Sequence, residues 1–204
     1  MTKIGIISDI HAGLNELHSA IAVLQAHQVD SIVCAGDLVD YGSDGDAVVD
    51  YIAQSKIPCV QGNHDLRATQ PDTKSARLVS TKTRTFLASL PQTRRFLWDG
   101  KCILLAHATP WGEDIYIYPD STPYLFRRVA KEADADIVIL GHTHHPMWIE
   151  VGNTHIINAG STSQNYTMDT GTCGILSLPD CVFTLLSIPT GKTVALTKHT
   201  LDAH

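Results

Sequence analysis

The stretch Ser31-Ile32-Val33-Cys34-Ala35-Gly36-Asp37-Leu38-Val39-Asp40 joins an apolar run directly to two carboxylates. A short apolar run that ends at a glycine is typical of a buried strand. Ligands of open α/β sheets bind just beyond the carboxyl ends of the strands, which is where Asp37 and Asp40 would lie. A single carboxylate pair could equally cap a helix or face solvent. Whether Asp37 and Asp40 belong to a ligand site therefore depends on which residues follow the other strands.

The first part of the chain alternates between strands and helices. Apolar runs predict strands over 3–8, 31–35 and 57–61, and helical spacing of apolar residues predicts helices over about 15–27 and 44–54. Strand, loop and helix in succession indicate βαβ units, a mostly parallel sheet and right-handed crossovers.

The later part is richer in hairpins. A polar helix is predicted over 72–88, a short helix over 124–133, a strand over 137–140 and an edge piece over 193–200. Pairs of strands are predicted at 94–98 with 101–106, at 147–151 with 155–158, and at 173–178 with 182–188. The change from βαβ units to hairpins predicts a second sheet. We therefore expect an α/β fold in one domain over 1–204, a four-layer αββα sandwich of two mixed β-sheets flanked by helices.

The composition narrows the class of protein. Apolar residues make up 44% of the chain and charged residues 18%, with a net charge of −6 and no basic run. These values predict a folded protein without a nucleic-acid surface, and no apolar run is long enough to span a membrane. The five cysteines are scattered and include no C-x-x-C pair, which favours buried thiols and a cytoplasmic location. Assembly into a homo-oligomer stays open.

Five predicted strand ends finish in nitrogen and oxygen donors. Histidine is unusually frequent, at 11 residues against 15 Lys plus Arg. We expect these loops to converge on one pocket, since strand ends of one sheet lie side by side. The donor groups in question are Asp9-x-His11, Asp37 with Asp40, Asn63-His64-Asp65, His107 and His142-x-His144.

This donor set predicts a metal centre. Mixed imidazole and carboxylate ligands suit manganese, iron, zinc, nickel or cobalt rather than calcium. Seven or eight ligands exceed one tetrahedral site but fit two ions about 3.5–4 Å apart, as in phosphate-ester hydrolysis. Asp37, in the middle of the set, is the natural bridge. The Asp9-x-His11 spacing is expected to direct both side chains the same way from an extended segment. Asp9 alone could cap a helix and Asn63 alone could form a turn, but together the residues favour the metal site.

These motifs resemble, in order and spacing, the five blocks of the calcineurin-like metallophosphoesterase superfamily. Gly36-Asp37-Leu38-Val39-Asp40-Tyr41-Gly42 and the chain's small size are similar to the compact bacterial and archaeal phosphodiesterases of that superfamily. The later turn Asn158-Ala159-Gly160-Ser161 is similar to an Asn-Pro-Gly-Ser turn of the same subgroup, with alanine replacing proline.

The resemblance implies an αββα sandwich and a binuclear centre. One ion would be held by Asp9, His11, Asp37 and His144, and the other by Asp37, Asn63, His107 and His142. His64 falls at the position of a catalytic histidine that does not bind metal, and Asp40 at that of the carboxylate that orients it. The role of Asp65 is left open.

The expected activity is hydrolysis of a phosphodiester or phosphomonoester. A hydroxide held at the binuclear metal centre would attack phosphorus, and His64 would act as general acid toward the leaving group. The expected cofactors are two divalent ions, with manganese preferred, and the expected partner is a small, nucleotide-like phosphoester. The alternatives are a phosphoprotein or dinucleoside polyphosphate phosphatase, or a non-catalytic scaffold of the same fold. Tyr41 replaces the arginine that is usual in the protein phosphatases of this superfamily. This difference argues against a phosphoprotein phosphatase. The aromatic segment 111–126 could bind substrate or form an interface.

Overall fold

The computed structural model of the chain describes residues 1–163 and 170–203. The strands and helices of this part follow one another in the order β1 (Lys3–Ile7), α1 (Leu14–Ala26), β2 (Ser31–Cys34), α2 (Gly45–Gln54), α3 (Asn63–Thr69), a 3-10 turn (Ser75–Leu78), α4 (Thr81–Ser89), β3 (Thr93–Trp98), β4 (Lys101–Ala106), α5 (Pro123–Ala133), β5 (Ile137–Leu140), β6 (Met147–Val151), β7 (Thr154–Asn158), β8 (Thr172–Ser177), β9 (Val182–Ser187), β10 (Thr193–Val194) and β11 (Lys198–Leu201).

The strands form two mixed sheets. The first has the order β10-β9-β8-β1-β2, in which β1 and β2 are parallel and β8 and β9 antiparallel. The second has the order β11-β6-β7-β5-β4-β3, with β4, β5 and β7 parallel at its centre. In each sheet the carboxyl ends of the parallel strands lie along one edge of that sheet. The donor residues lie in the loops that follow these ends.

Three apolar cores separate four layers. Side chains alternate along each strand, so Ile4 and Ile6 of β1 enter the core between the sheets while Ile7 faces the helices α1 and α2. On β4, Ile103 and Leu105 face the first sheet, whereas Leu104 packs toward α5. The layers are therefore helices, sheet, sheet and helix, which confirms the predicted αββα sandwich.

The expected third strand over 57–61 is wrong. Only one bridge joins this segment to β2, between Cys34 and Cys59. The Cys34 N–H donates to Pro58 O and the Val60 N–H donates to Cys34 O, but proline has no N–H for the next rung of a parallel ladder. The Gln61 N–H donates instead to Pro91 O, so the segment leaves the sheet there.

Two other segments differ from expectation. The predicted helix over 72–88 is divided into the 3-10 turn and α4, because Ser80 adopts an extended conformation and its side chain accepts the Thr83 N–H as a helix N-cap. The predicted edge piece over 193–200 is likewise divided between the sheets, with β10 on the first and β11 on the second. The remaining predicted helices and hairpins agree with the structure to within about two residues. No helix in the described ranges combines the length and the apolar character that crossing a bilayer requires.

Candidate functional site

The donor residues lie on tight loops with unusual backbone conformations. Asp9 and His11 follow β1 with φ values of 52° and 49°, and Asp37 after β2 has a φ of 54°. His142 and His144 after β5 have φ values of 68° and 56°. The extended geometry expected for the Asp9-x-His11 pair is therefore wrong. Left-handed conformations are costly for residues other than glycine and tend to cluster at functional sites.

A first group of donors consists of Asp9, His11 and His144. Their ligand atoms all lie within 4.8 Å of one another, and all three residues are buried. The Nε2 atoms of His11 and His144 are 3.0 Å apart, and His144 Nε2 is 3.4 Å from Asp9 Oδ1. Two imidazole nitrogens and a carboxylate oxygen thus converge on one small volume.

A second group adjoins the first and contains Asn63, His107 and His142. Asn63 Oδ1 is 3.1 Å from His107 Nε2 and 2.9 Å from His142 Nδ1. Asn63 begins α3 rather than lying in a loop, so the first turn of this helix carries it toward the two histidines.

Asp37 lies between the two groups. Its Oδ2 atom is 3.9 Å from His11 Nε2 and 3.3 Å from His107 Nε2, and its Oδ1 accepts the His64 N–H at 2.8 Å. The side chain of Asp9 is close enough to form a possible ion-binding group with Asp37 and His107 as well. One carboxylate oxygen of Asp37 therefore faces donors of both groups.

The second group requires a positive charge. His107 Nδ1 is 2.7 Å from Ala35 O, which can only accept, so Nδ1 carries a hydrogen and Nε2 points at the oxygens of Asp37 and Asn63. A neutral ring would then direct a lone pair at two other acceptors. Although burial opposes it, the negative charge of Asp37 raises the pKa of His107 to about 10. A proton or a metal cation at Nε2 satisfies the arrangement, so the residues fit a divalent ion.

The other donors are in forms suited to binding metal. Burial disfavours the charged forms of Asp9 and Asp37, but hydrogen bonds and charges of His144 and His107 outweigh it and lower both pKa values. Burial, with the nearby charge of His107, lowers the pKa of His142 to about 4. Carboxylates that stay ionised and an imidazole that stays neutral are the forms that coordinate metal.

His64 and Asp40 form a pair at the edge of the donor groups. His64 Nδ1 is 2.8 Å from Asp40 Oδ2, which also accepts the Ser75 hydroxyl at 2.8 Å. Burial opposes ionisation of Asp40, but these hydrogen bonds lower its pKa below the usual value. The other ring nitrogen, Nε2, is 3.4 Å from Tyr41 Oη. Asp40 thus fixes the orientation of His64 and leaves Nε2 directed away from it.

Asp65, whose role the sequence left open, holds the loops together. Its carboxylate accepts backbone N–H groups of Asp37, Leu38 and Gly62 at 2.9, 2.8 and 3.0 Å. It is fully buried, and burial together with the negative charge of Asp37 raises its pKa to about 7. It ties the loop after β2 to the start of α3.

Asn158 and Ser161 brace the remaining loops in a similar way. The Asn158 side-chain amide donates to Gly141 O at 2.7 Å and to Thr143 Oγ1 at 3.2 Å, and the Ser161 hydroxyl donates to Asp9 O at 2.8 Å. Sequence reasoning missed both roles; the only signal was the Asn158-Ala159-Gly160-Ser161 turn.

The aromatic segment 111–126 divides into two parts. The Tyr116 ring lies 3.9 Å from that of His142 and is roughly parallel to the ring of Tyr118 at 5.9 Å. Trp111 instead packs under the Arg128 guanidinium at 4.0 Å, and Phe126 lies on the buried face of α5. The two tyrosines therefore border the candidate site, whereas the ends of the segment pack against the fold.

The chain belongs to the calcineurin-like phosphoesterase superfamily, whose domain matches residues 2–180. This confirms the resemblance that the five blocks indicated, and the family is one of metal-dependent phosphoester hydrolases. Among its relatives is a probable metallophosphoesterase of Methanothermobacter thermautotrophicus, 29% identical over 159 residues that make up 78% of this chain and 76% of the relative.

Solved structures give the same architecture. A metallophosphoesterase from Sphaerobacter thermophilus is similar with a TM-score of 0.74 and 23% identity, over 90% of this chain and 86% of that one. A structure described as a novel archaeal phosphodiesterase has a TM-score of 0.60 and 20% identity, over 91% of this chain and 99% of that one. At these identities the likeness supports the fold.

Proposed function

We propose that the chain hydrolyses a phosphodiester, or a phosphomonoester, at a binuclear metal centre. The observation that carries this proposal is the position of Asp37, whose Oδ2 faces His11 Nε2 at 3.9 Å and His107 Nε2 at 3.3 Å. A carboxylate placed between two groups of nitrogen and oxygen donors suits a bridge between two ions.

In this proposal one ion is held by Asp9, His11, Asp37 and His144. The other is held by Asp37 together with Asn63, His107 and His142. Manganese suits this donor set, and so do iron, zinc, nickel and cobalt. When bound, the ions supply an activated water and offset negative charge on the phosphate oxygens.

His64 supplies the proton that the leaving alcohol needs. Its Nδ1 donates to Asp40, so a protonated ring carries its second hydrogen on Nε2, which faces Tyr41 Oη at 3.4 Å and would donate to the leaving oxygen instead when substrate is bound. Asp40, at 2.8 Å from Nδ1, fixes the direction of the ring. The Ser75 hydroxyl and Arg67, whose Nη1 is 3.8 Å from Asp40 Oδ2, hold that carboxylate in turn.

The surroundings of His64 favour small phosphoesters over phosphoproteins. Tyr41 stands where the protein phosphatases have arginine, and its ring packs 4.7 Å from that of His11 and 4.8 Å from that of His64. The Tyr41 ring narrows the path by which a substrate reaches His64 and, unlike an arginine, brings no positive charge to the phosphate. A non-catalytic scaffold is disfavoured because the full donor set and the His64–Asp40 pair are all retained.

The test is an assay of manganese-loaded protein with bis-p-nitrophenyl phosphate and p-nitrophenyl phosphate. We expect metal-dependent release of p-nitrophenol, faster from the diester, and its loss in Asp37→Asn. Asp72→Asn, which changes an exposed carboxylate outside the site, serves as the matched control and should keep the activity. If the metal-loaded protein releases nothing from either ester, the proposed hydrolysis of small phosphoesters is contradicted.

A further inference from the structure

Two hollows meet at the candidate metal centre. One, of about 300 Å³, is lined by Asp37, His64 and Tyr41. The other, of about 270 Å³, is lined by Arg67 of α3 and by Glu113 of the β4–α5 loop. Asn63, Tyr116 and His142 line both. A diester whose phosphorus lies at the donor groups and whose leaving arm lies beside His64 would place its other arm in the second hollow.

Two residues that line the second hollow each have a buried polar atom that lacks a partner. Within the described ranges, His142 Nε2 and Glu113 Oε2 make no hydrogen bond although both atoms are buried. His142 is only 7% exposed. The corresponding Nδ1 atoms of His107 and His11 face Ala35 O and Val39 O. His142 therefore differs from these two ligand candidates, because the nitrogen it turns away from Asn63 has nothing to bind.

The two atoms need complementary partners. His142 Nδ1 faces Asn63 Oδ1, so a metal ion bound at Nδ1 leaves the ring hydrogen on Nε2 as a donor. Burial raises the pKa of Glu113 to about 7, so Glu113 Oε2 is an acceptor once the carboxyl group has lost its proton, and the assays below are run at pH 8. A hydroxyl group accepts one hydrogen bond and donates another, so a single hydroxyl can satisfy both atoms. An alkyl arm would leave both atoms buried and unpaired, which is costly.

We propose that the arm of the diester that stays on phosphorus carries a hydroxyl group near the ester oxygen, held between His142 Nε2 and Glu113 Oε2. This inference rests on the proposed diesterase function and adds the class of substrate. Glycerol and ribose esters share the required hydroxyl. Glu113 is then the residue that selects the retained arm, while His64 serves the leaving arm.

The kinetic test compares two esters with the same leaving group, p-nitrophenyl 2,3-dihydroxypropyl phosphate and p-nitrophenyl propyl phosphate, on manganese-loaded protein. We expect kcat/KM to be at least about tenfold higher for the dihydroxypropyl ester, since a hydrogen bond to a charged group is worth that much or more. Glu113→Ala should reduce this ratio to about one. Glu132→Ala, at an exposed carboxylate elsewhere, should keep the wild-type ratio.

The binding test uses isothermal titration calorimetry on the manganese-loaded protein. The matched pairs are glycerol 1-phosphate with propyl phosphate, and adenosine 3′-monophosphate with its 2′-deoxy form. Tighter binding of the hydroxyl-bearing member, lost in Glu113→Ala, supports the proposal, and the pair that shows it distinguishes a polyol from ribose. Equal affinities within both pairs, or equal rates for both esters, overturn it while leaving the diesterase function standing. Failure to hydrolyse either ester contradicts the diesterase function itself, and the calorimetry then decides the role of Glu113 alone.

Discussion

The carboxylate of Asp65 accepts the backbone N–H of Asp37 at 2.9 Å, across 28 residues of sequence. Because it also accepts the N–H of Gly62 at 3.0 Å, one buried side chain sets the distance between the loop after β2 and the first turn of α3. These two segments carry Asp37 and Asn63, so the geometry of the candidate metal centre depends on a residue that has no direct place in it.

Asp65→Asn should therefore destabilise the fold and weaken metal binding together. The asparagine NH2 group cannot accept the N–H groups that one carboxylate oxygen now accepts, and an unsatisfied buried donor costs about 1–3 kcal/mol. Chemical denaturation and manganese titration measure the two effects. Asp44→Asn, at an exposed position before α2, is the control. Unchanged stability and affinity in Asp65→Asn would show that the carboxylate does not position these loops.

Gly62→Ala should disrupt the same junction by direct contact. An added Cβ would collide with Asp37 Oδ1, whereas one at Gly112 would meet nothing within 4 Å. We expect Gly62→Ala to lose metal and activity while Gly112→Ala keeps both. Circular dichroism should report a folded protein in each case, which separates local displacement of Asp37 from general unfolding. Full metal content in Gly62→Ala would contradict the close contact between Gly62 and the Asp37 carboxylate.

His64→Ala should keep its metal and lose activity according to the leaving group. Loss of a general acid costs about 10²–10⁴-fold for alcohols that leave poorly, and much less for p-nitrophenol, which needs no proton. The measurement is kcat for a series of diesters with leaving groups of different pKa, with metal content determined alongside. His18→Ala, an exposed histidine on α1, is the control. Wild-type turnover of an alkyl diester by His64→Ala would remove His64 as the acid.

The four buried cysteines should be nearly inert toward thiol reagents in the native protein. Cys34, Cys59 and Cys173 are buried, and burial raises the pKa of Cys173 to about 12 and that of Cys59 well above the usual value. At pH 8 a raised pKa leaves almost no thiolate, which is the reactive form. Of the 5 thiols, all free in the structure, only the partly exposed Cys102 should react quickly with an aromatic disulfide reagent. Rapid reaction of several thiols before denaturant is added would contradict the burial of Cys34, Cys59, Cys173 and Cys181.

Much of the site could be predicted from sequence because each donor follows an apolar run. Asp37 follows β2 of the first sheet, and His107 and His142 follow β4 and β5 of the second, so the strand pattern places each donor at the carboxyl end of a strand. The expectation that these ends belong to one sheet was wrong, because the donors meet where the two sheets pack together. The bracing roles of Asp65 and Asn158 could not be predicted in the same way. Their partners are backbone groups of loops distant in sequence, and a carboxylate or amide in a turn has many other uses.

Backbone conformation was the other feature that sequence could not supply. Asp9 and His11 are left-handed without a glycine at either position to indicate it, because the hydrogen bonds from Asp9, Ile10 and His11 N–H groups to the loop after β2 hold the turn in place. The strand expected over 57–61 failed for a simpler reason. Pro58 has no N–H and removes one rung of the ladder, so the apolar run that contains it does not pair as a regular strand.

The bridging position of Asp37 is the central claim, and the metal content of Asp37→Asn tests it most directly. Wild-type protein and the variant are loaded with manganese, dialysed and measured by inductively coupled plasma mass spectrometry against protein concentration, with Asp72→Asn as control. We predict about two ions per chain in the wild type and the control, as for a binuclear hydrolytic site, and less than about one in Asp37→Asn, because both ions lose a ligand. Two ions per chain in Asp37→Asn would contradict the bridge.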